Sequence, residues 1–129
     1  MLSKEKIVEY ARMSIWEHFD RLVEGGSIAI DRAGGTGHPK VPEYVYPLDY
    51  GYVEGTDGGD DSGIDIWVGQ TLGLGTTALL CTFDPVKMNS EVKIVWNCNE
   101  AEIDLIDRFY SPQPQAVLVV RRPEPVPAP

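Results

Sequence analysis

The stretch "VYPLDYGYVEGTDGGDDSGIDIWVG" (45–69) decides how this chain is read. Taken with Tyr44, its first part alternates aromatic and polar positions as an extended segment does. Pro47 puts that segment at an edge or bulge, because proline has no N–H for a ladder. "EGTDGGDDSG" (54–63) is built from turn residues, and "IDIWVGQ" (64–70) is an apolar run of strand length bounded by glycine.

Working outward, "SIAID" (27–31) reads as a short strand followed by a glycine- and proline-rich loop, "RAGGTGHPKVPE" (32–43). "TALLCTF" (77–83), "EVKIVWNC" (91–98) and "QAVLVVRR" (115–122) read as further strands. Apolar residues at Ile7, Ala11, Ile15, Phe19 and Leu22 predict one amphipathic helix from Ser3 to Val23, with Ser3 as N-cap and Gly25 and Gly26 as its stop. Asn99 followed by Glu102 has the form of a capping box. Ile103, Ile106 and Phe109 give the helix near 99–110 its buried face. Short strands between two helices predict an α+β fold, with a strongly twisted antiparallel sheet or small barrel and the helices outside. No linker divides residues 1–122, so one domain is expected. The tail "RPEPVPAP" ends in a proline-rich segment, 123–129, expected to be disordered.

The formal net charge of −9 argues against nucleic acid, which requires a basic face, and against an anionic membrane. An acidic protein still binds an anion when a divalent cation stands between them. No run approaches a membrane span and the first residues do not resemble a secretory signal, so a cytoplasmic location is expected. Cys81 and Cys98 lie in apolar strand-like runs and read as reduced thiols, without zinc spacing.

The acidic residues of the opening stretch have two readings. Aspartate and glycine clusters are what turns are made of. Asp65 is different, because a carboxylate entering the apolar run Ile64, Ile66, Trp67 is costly to bury without a cation or hydrogen bonds. A calcium EF-hand loop begun at Asp57 would need glycine at Ser62 and glutamate at Val68, so that motif fails. "GGTGHPK" fails as a phosphate-binding P-loop, since no GK[ST] follows.

In sequence order, "IDRAGGTGHPK", "VYPLDYGYVEGT", "GGDDSGIDIWVG" and "EVKIVWNCNEAEIDLIDRFY" together resemble the soluble family I inorganic pyrophosphatases over roughly residues 27–110. The resemblance implies an OB-like β-barrel with flanking helices, Mg²⁺-dependent hydrolysis (with Mn²⁺ as a substitute) of pyrophosphate to two phosphates, and a homo-oligomer. It assigns Tyr50, Asp65 and Lys93 to catalysis. Tyr46, Lys93, His38, Arg32, Lys40 and Tyr110 are assigned to substrate binding. Asp60, Asp65, Glu91 and, across a two-residue insertion, Asp84 are assigned to metal. The chain departs from the family pattern at Ser62, where the middle aspartate of the motif would stand. It departs also at Ser27 and Ala29, in place of a lysine and a glutamate, and at Ser111, in place of a lysine. These departures keep two further expectations open: a degenerate domain that binds metal or phosphate without turnover, and a hydrolase of another phosphoanhydride such as a nucleotide.

Overall fold

The computed structural model describes residues 1–59 and 62–125. The N-terminal region is two helices, α1 (Lys4–Arg12) and α2 (Ile15–Gly25), where the periodicity predicted one. The reason is local. Ser14 accepts from the Glu17 N–H while the Glu17 carboxylate accepts from the Ser14 N–H, a capping box that starts a new helix two residues after α1 ends. Helix α1 buries none of its residues and is tied down by Arg21 donating to Glu9 and by the His18 ring against the Tyr10 carbonyl.

Among the described residues six strands follow: β1 (Ile28–Arg32), β2 (Asp49–Val53), β3 (Ile64–Val68), β4 (Thr76–Asp84), β5 (Asn89–Trp96) and, after helix α3 (Glu100–Tyr110), β6 (Ala116–Arg121). They form one sheet in the order β1-β2-β3-β5-β4-β6. The fold is α+β as expected, but the expected all-antiparallel sheet is corrected, because β3 and β5 run parallel with Ile66 beside Ile94 and Trp67 beside Val95. The other pairings are antiparallel, and the described ladder ends at β1 and β6 without closing into a barrel. Parallel contact arises because two antiparallel hairpin units, β2–β3 and β4–β5, join along their buried strands, and matching apolar residues there decide the pairing.

The predicted extended segment 44–53 is a strand only from Asp49. Tyr44 to Tyr46 instead fold back on the preceding loop, with the His38 N–H bonded to the Tyr44 carbonyl and the Tyr46 N–H to the Thr36 carbonyl. Within the tail, residues 126–129 lie outside the described residues.

Each face of the sheet has its own core. Trp67, Ala78, Leu80 and Val95 pack with Ile103, Ile106 and Tyr110 of α3, and Tyr46 and Leu48 join them. On the opposite face Ile66, Ile94 and Val53 pack with Val23, Phe19 and Leu22 of α2. Cys98 belongs to the first cluster, where burial pushes its thiol up to about 12, and both cysteines are free.

The α3 capping box is present, and Glu102 does more in it than the motif requires. Its carboxylate accepts from the Asn99 N–H, the Gln70 N–H and the Thr71 hydroxyl, tying the helix start to the loop after β3. Burial acts to raise the Glu102 pKa, but the hydrogen bonds from Thr71, Gln70 and Asn99 outweigh it and hold the carboxyl below its ordinary 4.5. A depressed carboxyl stabilises fully above its unfolded value and loses that contribution as pH falls through the folded value. Glu102→Gln is therefore expected to flatten the decline of Tm with pH below about 4.5 and to cost about 1–2 kcal/mol at pH 7. Parallel thermal melts from pH 7 to 3 check this, and an unchanged acid limb would remove Glu102 from the account.

Candidate functional site

Alternation along two strands puts chemistry on one face. The cross-strand pairs Leu80–Lys93, Thr82–Glu91 and Asp84–Asn89 lie on the same side of the β4–β5 hairpin as Trp67, so the apolar core gives way to polar residues toward the hairpin tip. There a cleft of about 210 Å³ is lined by Tyr50, Ser62, Asp65, Thr82, Asp84, Lys87, Asn89, Glu91, Lys93 and Gln115.

At its floor is a closed polar network. The Lys93 ammonium, almost fully buried, donates to the Tyr50 hydroxyl at 2.7 Å, to Asp65 Oδ2 at 2.7 Å and to Glu91 Oε2 at 2.9 Å. Tyr50 donates its own proton to the same Asp65 oxygen at 2.6 Å. All three ammonium hydrogens and the phenolic hydrogen are thus used within the protein. Burial alone would lower the Lys93 pKa, and the Tyr110 phenol with the Asp65 and Glu91 carboxylates outweighs it, so the ammonium is held above its ordinary value. Burial first, then neighbouring Tyr110 and Asp65, push the Tyr50 phenol far upward, which rules it out as a base at neutral pH.

Tyr50, Asp65, Glu91, Lys93 and Asp84, drawn from β2, β3, β5 and β4, therefore meet at one cleft. Asp84 has a second duty, since its Oδ1 accepts from the N–H groups of Val86 and Lys87 and fixes the hairpin turn. Asp60 lies outside the described residues. Among the described residues no three His, Cys, Asp or Glu side chains gather as a metal-holding group, and the cation standing between Asp65 and Glu91 is Lys93.

The expected substrate-binding residues divide. Tyr46 packs 5.8 Å from the Tyr50 ring and 4.7 Å from Phe109, and burial raises its pKa. Tyr110 is buried on the α3 side, accepts from the Trp67 indole N–H at 3.3 Å and has its phenol pushed up to about 12 mainly by burial. It supports the floor and does not line the cleft. His38 stacks on Tyr46 at 6.4 Å and its Nδ1 accepts from the Lys40 and Val41 N–H groups, so its ring serves the loop turn. Arg32 lies beside Tyr46, while Lys40 is exposed, and none of these three side chains lines the cleft.

Lys87, Asn89, Thr82 and Gln115 line the cleft without having been singled out from the sequence. A signal for one of them, Asn89, was present: in "NSEVKIVW" the alternate positions Asn89, Glu91 and Lys93 are all polar, the mark of a strand with one polar face. No family model matches the chain, and no curated protein is similar to it.

Proposed function

We propose that the cleft takes a phosphoanhydride that arrives with its divalent cation, pyrophosphate first, and hydrolyses it to two phosphates. The observation that carries this reading is the convergence of Tyr50, Asp65, Asp84, Glu91 and Lys93 on one small polar cleft, although they are spread over more than forty positions of sequence.

The donor set fits Mg²⁺ or Mn²⁺ in kind, being hard carboxylate oxygens. Mg²⁺ commonly uses one or two carboxylates together with substrate phosphates and water. Asp65 is the first such ligand, because Tyr50 and Lys93 both bond Oδ2 and no described group bonds its other oxygen. Glu91 and Asp84 are the others. When bound, the cation would supply charge to polarise the phosphoryl oxygens. The chain's own contribution is to hold Asp65 oriented through Tyr50 and Lys93, and to present Lys87 from the hairpin tip toward the anion. Water adds at one phosphorus, the bridging P–O bond breaks and two phosphates leave. A cleft of about 210 Å³ suits pyrophosphate better than a nucleotide, whose base needs the roomier pockets typical of larger ligands.

Phosphate release from pyrophosphate with Mg²⁺ or Mn²⁺ tests the reading. Chelator is expected to abolish it, and Asp65→Asn to lower kcat/KM by about 100-fold. Turnover that survives both would place the chemistry elsewhere. A second reading, binding without turnover, draws on the closed Lys93 network, which must exchange a partner before the ammonium meets a phosphate. Calorimetric binding of Mg²⁺ with imidodiphosphate, in a protein that releases no phosphate, would select it.

A further inference from the structure

Gln115 lines the cleft and also lines a recess of about 270 Å³ between the end of α3 and the start of β6, together with Asp107, Arg108, Ser111 and Val117. A second link joins the two hollows. Val117 of the recess stands directly opposite Thr82 of the cleft in the β4–β6 ladder, close enough for their side chains to touch. Another cavity shares Thr82 and Glu91 with the cleft, but Phe19, Cys81 and Val92 place it on the α2 face, so the β4–β5 hairpin stands between them. The recess, by contrast, continues the cleft on the α3 side of the sheet.

The groups in the recess select its occupant. Among the described residues nothing bonds the Asp107 carboxylate, the Ser111 hydroxyl or the Gln115 side-chain amide, whereas Arg108 already donates to Asp104 at 2.8 Å. A third phosphate would meet a carboxylate of its own sign beside a cation already in use. An apolar group would strip water from Asp107 and return no hydrogen bond. A neutral polyol suits all three groups, because its hydroxyls donate to the carboxylate and exchange hydrogen bonds with the hydroxyl and the amide. We propose that cleft and recess together take a monoester of pyrophosphate whose alcohol is a polyol such as a pentose, with the diphosphate in the cleft and the polyol against Asp107, Ser111 and Gln115. This rests on the phosphoanhydride reading of the cleft. Water adds at the terminal phosphorus and gives up a proton to solvent. The bridging P–O bond breaks with its electron pair passing to the ester-bearing phosphate, and phosphate and a phosphate monoester leave.

Phosphate release by the full chain with Mg²⁺, measured on pyrophosphate, methyl diphosphate and ribose 5-diphosphate, tests the recess. The ribose ester is expected to show a kcat/KM about tenfold above that of the methyl ester, the worth of one or two added hydrogen bonds. Asp107→Ala with Ser111→Ala is expected to erase that preference and to leave pyrophosphate turnover unchanged, since both residues stand outside the cleft. Equal rates on the two esters, turnover of pyrophosphate but of neither ester, or a preference that survives the double variant would overturn the recess as a polyol site. Release from none of the three would overturn the hydrolytic reading by itself. Calorimetry with the two esters and Mg²⁺ would then decide the recess: binding of the ribose ester about tenfold tighter, in the wild type but not in the double variant, would uphold it, and equal binding would overturn it.

Discussion

Lys93→Met is expected to destabilise the protein by about 3 kcal/mol, lowering Tm by on the order of 10 °C, although methionine fills much of the same volume. The loss comes from what remains. Asp65 and Glu91, with side chains 25% and 20% exposed, would face each other across the vacated ammonium position, and Tyr50 would keep only its bond to Asp65. Water reaching the carboxylates puts the expected cost at the lower end of the range for a broken buried pair. Combining Lys93→Met with Asp65→Asn should recover part of the loss, because the neutral amide removes one of the two like charges. The double-mutant cycle would then show coupling of more than about 1 kcal/mol. The exposed Arg108–Asp104 pair is the control: Asp104→Ala should cost under about 1 kcal/mol.

The pH dependence has a definite sign. A lysine held above its ordinary 10.5 contributes its full stabilisation below that value and loses it only as pH rises through the higher folded value. The wild-type network should thus persist through neutral pH and fail in strong alkali. The methionine variant should regain stability in acid as its facing carboxylates take up protons. Urea unfolding of both proteins at pH 4, 7 and 9 distinguishes these outcomes, and equal stability at every pH would mean that the lysine is solvated and not the pin of the site.

This network also shows how far sequence reading reaches. Asp65 stood out because a carboxylate inside "IDIWVG" needs compensation, and the structure supplies it through Lys93 and Tyr50. What composition could not reveal was the source of the cation. A lysine twenty-eight positions away comes beside Asp65 only because β3 and β5 run parallel, and that pairing follows from long-range matching of Ile66 with Ile94, which no local pattern encodes. The helix at 100–110 was legible from Asn99 and Glu102, since a capping box is a local device. The break at Met13 was equally local, and periodicity hid it because the apolar spacing runs on across Ser14. The resemblance assigned His38 and Lys40 to substrate binding, yet the glycine-rich loop that carries them spends the His38 ring nitrogen on its own turn.

The other large effect is expected from Gly51→Ala, which should destabilise by at least about 4 kcal/mol or prevent folding. A Cβ at residue 51 would lie 1.8 Å from the Ala29 carbonyl oxygen and 2.9 Å from the Ile30 Cα, both backbone atoms of the neighbouring strand. Side chains can rotate away from an added methyl, but a ladder carbonyl moves only with its strand. Gly51 pairs with Ile30, just before the register shift between Ile30 and Arg32, and the close approach there belongs to that irregularity. Relief would require β1 to separate from β2, exposing Val53 and Ile28 to water and displacing Tyr50, the next residue along β2, from Asp65. Loss of fold and loss of the site are therefore coupled at this one position. Gly25→Ala provides the contrast, because nothing lies within 4 Å of a Cβ there and the residue ends a helix; its effect should stay within about 1 kcal/mol. If urea unfolding showed Gly51→Ala to be as stable as Gly25→Ala, the β1–β2 contact would be able to relax. Tyr50 would then owe its position to the aromatic packing of Tyr46 and Trp67 and not to the strand beneath it.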